Sequence, residues 1–419
     1  MRITILRILL LVAALGYFWT LIVFGVGAWI VAHPTTENLR RGLRWNSANP
    51  TIWRLSARSR LLSLNPGELR EAAEAYPQSL ARNPWDPLAW EGLASIYSRL
   101  GDEQKEEAAW RGGVLTTPHS PYAAWGLANF LLQGGRIEEA LPLFRTAATY
   151  DPALRASLFE LAWKLLADPQ RIFKELVPAD TAARIEYMNF LIWKKGLLRE
   201  AYPVWQEILT SGVEHTVTLG QSYVEVLAAA GLGAEASQVW REILGRTDRP
   251  GKTSSGEQIT NGDFEWPLRN AGLDWRMGPA PGYRISLDNF VYQEGTRSLR
   301  VDFDGTTNPE FAAVQQWVPV EPGRNYQFRA HLRTDNLSTD NGIFLSVATQ
   351  RAPPAESWEH LTETRVGSSP WTEEMIDLQT GSDTRVVLIQ LRRRRSTKLN
   401  NLLQGTVWID NLSLRIRTP

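Results

Sequence analysis

The spacing of apolar residues along the chain changes in character twice. Near the N-terminus, no charged residue occurs from Ile8 to Val31. Between about residues 35 and 247, apolar positions recur with a helical period, and from 259 onwards they alternate with polar positions, as in strands. The pattern therefore predicts three successive parts: an apolar helix, a helical array and a β-domain.

The apolar segment predicts a transmembrane anchor within residues 1–34. As a helix, residues 8–31 would extend about 36 Å, and the hydrocarbon core of a bilayer is about 30 Å thick. The apolar core of a signal peptide is shorter, so we expect the anchor to stay attached. Arginines on both sides leave the orientation undecided by charge: Arg2 and Arg7 before the segment, and Arg40, Arg41 and Arg44 after it.

A repeat follows the anchor. Residue pairs ending in proline recur every 34 residues, at Asn49-Pro50, Asn83-Pro84, Thr117-Pro118 and Asp151-Pro152. The sequence "VWQEIL" at 204–209 returns as "VWREIL" at 239–244. A period of this length is typical of stacked supersecondary units, none of which buries its apolar face alone.

The repeat resembles the tetratricopeptide family. In unit 87–120 the residues on signature positions are Trp90, Leu93, Ala94, Tyr97, Gly101, Trp110, Gly113 and Pro118. Unit 121–154 has Ala124, Leu127, Ala128, Leu131, Gly135, Ala140, Phe144, Ala147 and Pro152 there. The resemblance implies an α-solenoid over 83–247, preceded by a degenerate helical repeat at 35–82.

By the same resemblance, the concave face of the array binds a protein segment. The positions that line such a groove are Glu91, Arg99, Trp125, Asn129, Trp193, Lys194, Gln221 and Glu225. The alternative is that these are ordinary solvated or packing residues.

A polar linker, residues 248–258, precedes the β-domain at 259–419. In "NYQFRAHLR" (325–333) the residues expected to face the core are Tyr326, Phe328, Ala330 and Leu332. Val387, Ile389 and Leu391 share one face of a later strand. Many short strands separated by turns predict a β-sandwich or jelly roll. The predicted fold class is thus multi-domain, α followed by β.

The β-domain resembles carbohydrate-binding modules of the family 4/9 type. The motifs are "NGDFE" (261–265), "QQWVPVEPGRNYQFRAHLR" (315–333) and "VWIDNLSL" (407–414). The resemblance implies a structural calcium held by Glu265 and Asp410, with Asp263 as a third candidate. The alternative is that these carboxylates cap turns or pair with arginines.

A saccharide site is expected on the outer face of the strand 325–333 and its neighbours. The candidate residues are Gln315, Trp317, Arg329, His331, Arg333, Gln390 and Arg392. One aromatic platform with surrounding donors suits a sugar, and the arginine run 392–395 would favour an acidic one. The alternative is a solvated polar face with a partly packed tryptophan.

Composition excludes several function classes. Basic and acidic residues number 45 each, so the chain has no electrostatic footprint for nucleic acid. It contains no cysteine, and its five histidines lack metal-ligand spacing. No catalytic motif occurs, so we expect neither an enzyme nor a required cofactor.

Together these features predict a non-catalytic scaffold of the bacterial cell envelope. The anchor would sit in the inner membrane with the bulk of the chain in the periplasm. The repeats would bind a protein and the β-domain a polysaccharide, in exopolysaccharide or O-antigen assembly or export. The alternative is a purely protein–protein assembly factor whose β-domain binds no sugar.

Overall fold

The structure is a computed structural model that describes residues 2–61, 63–212, 216–245, 256–278, 281–349 and 357–417. Within these residues, fourteen α-helices precede ten β-strands, which confirms the predicted order of α then β. The chain divides into two compact units, Met1–Ile208 and Leu209–Pro419. Most of the predicted linker, 248–258, lies outside the described residues, and the predicted domain limits remain predictions.

The first unit begins with the apolar helix α1 (Arg2–Ala32). Its segment Leu10–Ala32 is long and apolar enough to cross a membrane, by length and composition alone. Nearly all side chains from Leu10 to Ala32 are exposed, but Ile30 is buried. Ile30 packs with Leu39 of α2 (Thr36–Trp45) and Ile52 of α3 (Pro50–Arg58) in a small apolar core.

Most of the remaining helices of the first unit pack against their neighbours along the chain. The helices are α4 (Pro66–Arg82), α5 (Pro87–Leu100), α6 (Glu103–Thr116), α7 (Pro121–Gln133), α8 (Ile137–Tyr150), α9 (Arg155–Leu166), α10 (Pro169–Glu175) and α11 (Thr181–Asn189). A π-helical turn, Phe190–Lys195, extends α11, and α12 (Tyr202–Thr210) reaches the boundary between the units.

The 34-residue repeat marks the ends of these helices. Asn83, Thr117 and Asp151 are the C-caps of α4, α6 and α8, and a proline follows each of them. Gly101 ends α5 in the left-handed region with φ of 71°, where a residue with a side chain would be strained. The periodic prolines and glycines therefore stop one helix and turn the chain into the next.

Small residues at fixed positions let large aromatic rings pack between helices. A side chain at Gly92 would overlap the ring of Tyr76, and one at Gly126 would overlap the ring of Trp110. Tyr76 is almost completely buried in a core shared by α4 and α5. This pairing of small and aromatic positions accounts for the signature read from the sequence.

The second unit combines the last helical hairpin with a β-sandwich. The hairpin is α13 (Thr216–Ala229) and α14 (Gly233–Leu244). The strands are β1 (Arg276–Met277), β2 (Tyr283–Asp288), β3 (Ser298–Asp304), β4 (Phe311–Pro319), β5 (Asn325–Leu337), β6 (Phe344–Thr349), β7 (Glu359–Leu361), β8 (Gly367–Gln379), β9 (Val386–Arg393) and β10 (Gln404–Ile416).

The ten strands form two antiparallel five-stranded sheets. We call the sheet of order β2-β3-β10-β5-β8 sheet A and the sheet of order β1-β4-β9-β6-β7 sheet B. The predicted inward residues of β5 and β9 are all fully buried in one apolar core: Tyr326, Phe328, Ala330, Leu332, Val387, Ile389 and Leu391. The alternation seen in the sequence is thus confirmed, and alternate residues of each strand face outward.

The "NGDFE" segment closes the sandwich next to β10. Phe264 is fully buried and packs near Trp275, with 5.4 Å between ring centroids. Trp275 Nε1 donates to the carbonyl of Asn261 at 3.0 Å. A side chain at Gly262 would overlap the carbonyl oxygen of Leu412, so only glycine fits where this segment crosses β10.

The helical hairpin packs against the sandwich within the second unit. A side chain at Gly233 would overlap the carbonyl oxygen of Arg385, which shows how closely α14 approaches β9. Glu225 of α13 accepts a hydrogen bond from the amide of Gly272 at 3.0 Å. The last helices therefore belong to the same compact unit as the β-domain.

Candidate binding sites

The predicted protein groove begins on α5 and α7. Glu91 is half-buried, while Arg99 donates to the carbonyl oxygens of Leu61 and Ser63 in the loop before α4. Trp125 packs edge-on against Phe144, with centroids 4.9 Å apart. Asn129 Nδ2 donates to the carbonyl of Trp125 at 2.8 Å. These residues are thus partly committed to contacts inside the array.

The next two groove candidates lie on the π-helical turn and are more open. Trp193 is 65% exposed, and Lys194 is exposed beside it. The neighbouring Lys195 points to the array instead, with Nζ 5.3 Å from the ring centroid of Trp163 and 3.1 Å from Glu160 Oε2. Trp193 and Lys194 are therefore the groove candidates that a partner could reach most directly.

The last two groove candidates, Gln221 and Glu225, lie on α13 in the second unit. Gln221 is half-buried. Glu225 is engaged by the β-domain, because its Oε1 lies 2.7 Å from Arg276 Nη2 in an ion pair and also accepts from the amide of Gly272.

The candidate sugar-binding residues do not share one face, and the expectation that they do is wrong. Strand β5 lies in sheet A, whereas β4 and β9 are neighbours in sheet B. Outward residues of the two sheets point to opposite sides of the sandwich. One group is therefore Arg329, His331 and Arg333 on sheet A, and the other is Gln315, Trp317, Gln390 and Arg392 on sheet B.

On sheet B the aromatic ring expected to stack on a sugar is covered from within the chain. The guanidinium of Arg276 lies over the Trp317 ring, 4.2 Å from its centroid. Arg276 is held in turn by Glu225 of α13. Gln390 Nε2 donates to Gln315 Oε1 at 2.9 Å, so these two side chains satisfy each other. Much of this face is therefore already occupied.

Arg392, the remaining candidate on sheet B, pairs with Glu359 of β7. Its guanidinium carbon lies 6.0 Å from the ring centroid of Phe344. Arg394 lies over the same ring at 5.6 Å. The arginine run thus covers an aromatic residue and is partly neutralised.

On sheet A a polar groove of about 700 Å³ lies over β5, β8 and β10. Arg329 Nε donates to Gln327 Oε1 at 2.8 Å, and its Nη1 lies 3.4 Å from Glu373 Oε1. His331 Nδ1 is buried without a hydrogen-bond partner among the described residues. Arg333 does not line this groove. Its guanidinium carbon lies over the Trp408 ring, 5.4 Å from the ring centroid.

Several polar residues of this groove were not identified as site residues from the sequence: Glu257, Glu294, Gln327, Glu373, Asn411, Ser413, Arg415 and Arg417. The register between β10 and β5 shifts between Asp410 and Ser413, and Asn411 has a positive φ of 49°. Such a bulge twists the strand and changes the direction of its side chains. The sequence signal for this bulge was the Asp410-Asn411 pair, because Asn adopts a positive φ more readily than most residues.

The predicted calcium ligands Glu265 and Asp410 both bind the loop 293–297. Asp410 Oδ2 accepts from the amides of Gln293 at 2.8 Å and Glu294 at 3.3 Å. Glu265 Oε1 accepts from the amide of Thr296 at 2.6 Å. Asp263 is exposed instead, and its Oδ1 lies 3.4 Å from the amide nitrogen of Glu265.

Asp410 is fully buried, and no basic side chain of the described residues forms an ion pair with it. Burial, opposed by its amide hydrogen bonds and reinforced by the charge of Glu265, raises the pKa of Asp410 to about 6. Burial also acts to raise the pKa of Glu265, but hydrogen bonds from Thr296 and Arg297 outweigh it and lower that pKa.

Two neighbouring carboxylates, one of them buried without a counter-charge, fit a hard cation such as calcium. Among the described residues no cluster of three or more acidic, histidine or cysteine side chains could hold a metal. Further ligands would therefore have to be carbonyl or amide oxygens. A side chain at Gly295 would overlap Glu265 Oε1, so a glycine is needed where the loop 293–297 passes this carboxylate.

Comparisons with known proteins bear on the two folds. No protein-family model matches the chain, and no curated protein matches it significantly. The chain is similar to a structure described as CBM4, with 15% identity and a TM-score of 0.28 over 38% of this chain and 99% of that one. It is also similar to a xylan-binding domain from CBM 22, with 13% identity and a TM-score of 0.27 over 39% of this chain and 96% of that one.

The helical part is similar to YrrB, described as a TPR protein with an unusual peptide-binding site. The identity is 16% and the TM-score 0.25, over 50% of this chain and 93% of that one. The folds that both sequence resemblances imply are present in the structure, as an array of helices followed by a two-sheet sandwich. At these identities and TM-scores the similarities carry no argument about ligands or partners, which must come from the residues of this chain.

Proposed function

We propose that the chain is a non-catalytic, membrane-anchored scaffold of the bacterial cell envelope. Its helical repeats bind a segment of a partner protein, and its β-sandwich binds a polysaccharide through the groove of sheet A. The observation that carries the sugar-binding part is the polar groove itself, in which Arg329 and His331 of β5 lie beside Glu373 of β8.

The groove offers both donors and acceptors, as sugar hydroxyls require. Arg329 donates and Glu373 accepts, while Gln327 does both. Four carboxylates and three arginines line the groove, so its charge is mixed. This balance favours a neutral polysaccharide over the acidic one suggested by the arginine run 392–395. Among the described residues no Phe, Tyr or Trp lines the groove, so recognition would rest on hydrogen bonds rather than on stacking against such a ring.

The test is affinity electrophoresis of the full-length chain in detergent against a panel of neutral and acidic polysaccharides. We expect retardation by a neutral polysaccharide, and its loss in His331→Ala. The matched control is Arg324→Ala, whose guanidinium forms an exposed pair with Glu321 away from the groove. Equal retardation of His331→Ala and the parent chain would place the sugar elsewhere, and absence of any retardation would remove the sugar-binding function.

The protein-binding part of the proposal relies on Trp193 and Lys194. An exposed tryptophan next to an exposed lysine offers an apolar contact and a positive charge for an acidic or aromatic segment. Exposed aromatic residues dominate the binding energy of many interfaces.

The anchor and the location follow from α1 and from the expected ligand. An apolar helix near the N-terminus supports membrane attachment, and the envelope polysaccharides proposed as ligands occur outside the cytoplasm. We therefore place the bulk of the chain in the periplasm. Alkaline carbonate extraction should leave the protein in the membrane pellet. A C-terminal alkaline phosphatase fusion should be active and a β-galactosidase fusion inactive, and the reverse pattern would place the domains in the cytoplasm.

One observation favours the alternative, a protein–protein assembly factor whose β-domain binds no sugar. The Trp317 ring on sheet B is covered by Arg276, which Glu225 of the helical hairpin holds in place. In that function the sandwich serves only to stabilise the hairpin α13–α14 within the second unit. The polysaccharide panel separates the two functions, because an assembly factor would bind none of its members.

A further inference from the structure

The charged helix α2 runs back along the apolar helix α1. His33 O accepts from Asn38 Nδ2 at 2.9 Å, next to the turn between them. Further along, a side chain at Gly42 would lie 3.1 Å from Ile30 Cδ1. Nearer the N-terminal end of α1, the rings of Trp19 and Trp45 lie 6.5 Å apart. Helices α1 and α2 therefore run antiparallel, so that later residues of α2 lie beside earlier residues of α1.

This arrangement places charges beside the second half of α1. Arg41 lines a crevice with Ile22, Val26 and Trp29. Other exposed charged residues of α2 are Glu37, Arg40 and Arg44. A membrane span over residues 8–31 would place Arg40, Arg41 and Arg44 at the depth of the hydrocarbon, where exposed charged side chains are costly.

The length of a helix then fixes where the span must lie. About 20 residues cross a hydrocarbon core of about 30 Å. A span that ends near Ile22, before α2 is reached, begins near Ile3. Arg7 would lie only about 6 Å inside the opposite edge, within the reach of its side chain to the headgroups.

The aromatic residues agree with this position. Tyr17, Phe18 and Trp19 follow one another on α1 and are exposed, and Trp45 of α2 is exposed next to Trp19. Tryptophan and tyrosine concentrate at the boundary between hydrocarbon and headgroups. A boundary near residues 17–22 therefore places both tryptophans and the C-terminal end of α2 at the headgroup level.

We infer that the bilayer is crossed by residues from about Ile3 to about Ile22, and that α2 holds Arg40, Arg41 and Arg44 against anionic lipid headgroups. The remainder of α1 is then the first helix of the helical domain, outside the hydrocarbon, where Ile30 packs with Leu39 and Ile52. This inference rests on the membrane anchor proposed above. It changes the residues that the anchor uses and adds a lipid-binding surface.

Two glycines of α1 give a matched test of the span. A β-carbon added at Gly16 or at Gly25 meets nothing within 4 Å, so a cysteine at either position points into open space. The parent chain has no cysteine. Full-length Gly16→Cys and Gly25→Cys are reconstituted in nanodiscs and treated with a water-soluble maleimide. Leu64→Cys, at a position 90% exposed, gives the rate for full access.

We expect Gly25→Cys to be labelled at least about ten times faster than Gly16→Cys, because only Gly25 lies outside the proposed span. Equal protection of the two positions would overturn the inference and leave the anchor intact. Equal and rapid labelling of both would overturn the anchor itself. The two failures are therefore distinguishable.

The headgroup contact is tested with an environment-sensitive fluorophore on Ser47→Cys, in the exposed turn after α2. Nanodiscs of phosphatidylcholine are compared with nanodiscs that also contain phosphatidylglycerol. We expect a larger blue shift with the anionic lipid, and loss of that difference when Arg40→Gln, Arg41→Gln and Arg44→Gln are combined. Identical spectra in the two lipids would overturn the contact with anionic headgroups.

Discussion

The guanidinium of Arg276 lies over the indole ring of Trp317, 4.2 Å from its centroid, on the outer face of sheet B. The same guanidinium approaches Glu225 Oε1 to 2.7 Å, which links strand β1 to helix α13. The aromatic face that the sequence suggested as a sugar platform is thereby used to attach a helical hairpin to the sandwich.

Removing this guanidinium should destabilise the second unit. Arg276→Ala leaves the partly buried Glu225 without its counter-charge and deprives Trp317 of a cation–π contact. We expect a loss of about 1–3 kcal/mol in the free energy of unfolding. Arg324→Ala removes an exposed ion pair of the same domain and should cost less than about 1 kcal/mol. Denaturant unfolding compares the two, and equal losses would mean that the Arg276 contacts are no stronger than a surface pair.

The buried carboxylate of Asp410 should make stability depend on pH. Because its folded-state pKa, about 6, lies above the ordinary value of 3.8, the folded state binds this proton more tightly than the unfolded state. The stabilisation is complete below the unfolded pKa and is lost as the pH rises through 6. Between pH 7 and pH 4 the unfolding free energy should therefore rise by about 2 kcal/mol.

The measurement is the difference in unfolding free energy between the parent chain and Asp410→Asn, with a chelator present, at pH 7 and at pH 4. Asp263→Asn, at an exposed carboxylate, is the control. Calcium added at pH 7 should raise the melting temperature of the parent chain, and should have little effect at pH 4 or in Asp410→Asn. Identical calcium responses in Asp410→Asn and the parent would exclude Asp410 as a ligand.

The partner of the repeats should depend on Trp193. We expect Trp193→Ala to lower partner affinity by more than about 2 kcal/mol, a value common for interface tryptophans. The stability of the Trp193→Ala variant should change little, because the Trp193 side chain is 65% exposed. Trp85→Ala removes an equally open tryptophan, 72% exposed, from outside the predicted groove. Quantitative co-purification of the tagged chain compares the variants, and unchanged recovery in Trp193→Ala would misplace the groove.

The crossing of "NGDFE" over β10 should not tolerate a methyl group. Gly262→Ala would force a β-carbon into the carbonyl oxygen of Leu412, so we expect a loss of about 2–4 kcal/mol in stability. At Gly278 the nearest atom to an added β-carbon is 3.9 Å away, and Gly278→Ala should be close to neutral. Thermal unfolding followed by near-ultraviolet circular dichroism gives the comparison, and similar melting temperatures would contradict the crowding.

The sequence predicted those features that depend on neighbours along the chain. The inward faces of β5 and β9 followed from alternation, as Tyr326 and Ile389 show, and the helix ends followed from periodic prolines. The sugar-binding face did not follow, because alternation shows which side of a strand is buried but not which sheet the strand joins. Trp317 and His331 have the same outward pattern, yet sheet order separates them.

Contacts between distant segments were likewise beyond sequence reasoning. The pairing of Glu225 with Arg276 depends on the hairpin meeting the sandwich, and the 293–297 loop meets Asp410 only after folding. By contrast, Glu265 and Asp410 could be predicted as ligands of one calcium. The family resemblance implies that these two positions, distant in sequence, lie close together in the fold. The metal itself remains a prediction.

The Glu225–Arg276–Trp317 contact also determines what an excised sandwich would report. A fragment that starts after the helical hairpin lacks Glu225, so Arg276 loses the carboxylate that holds it over the ring. We expect more of the Trp317 indole to be accessible in such a fragment than in the whole chain. A truncated domain can therefore gain an affinity that the whole chain does not have, and binding data from fragments and from the intact protein describe two different surfaces.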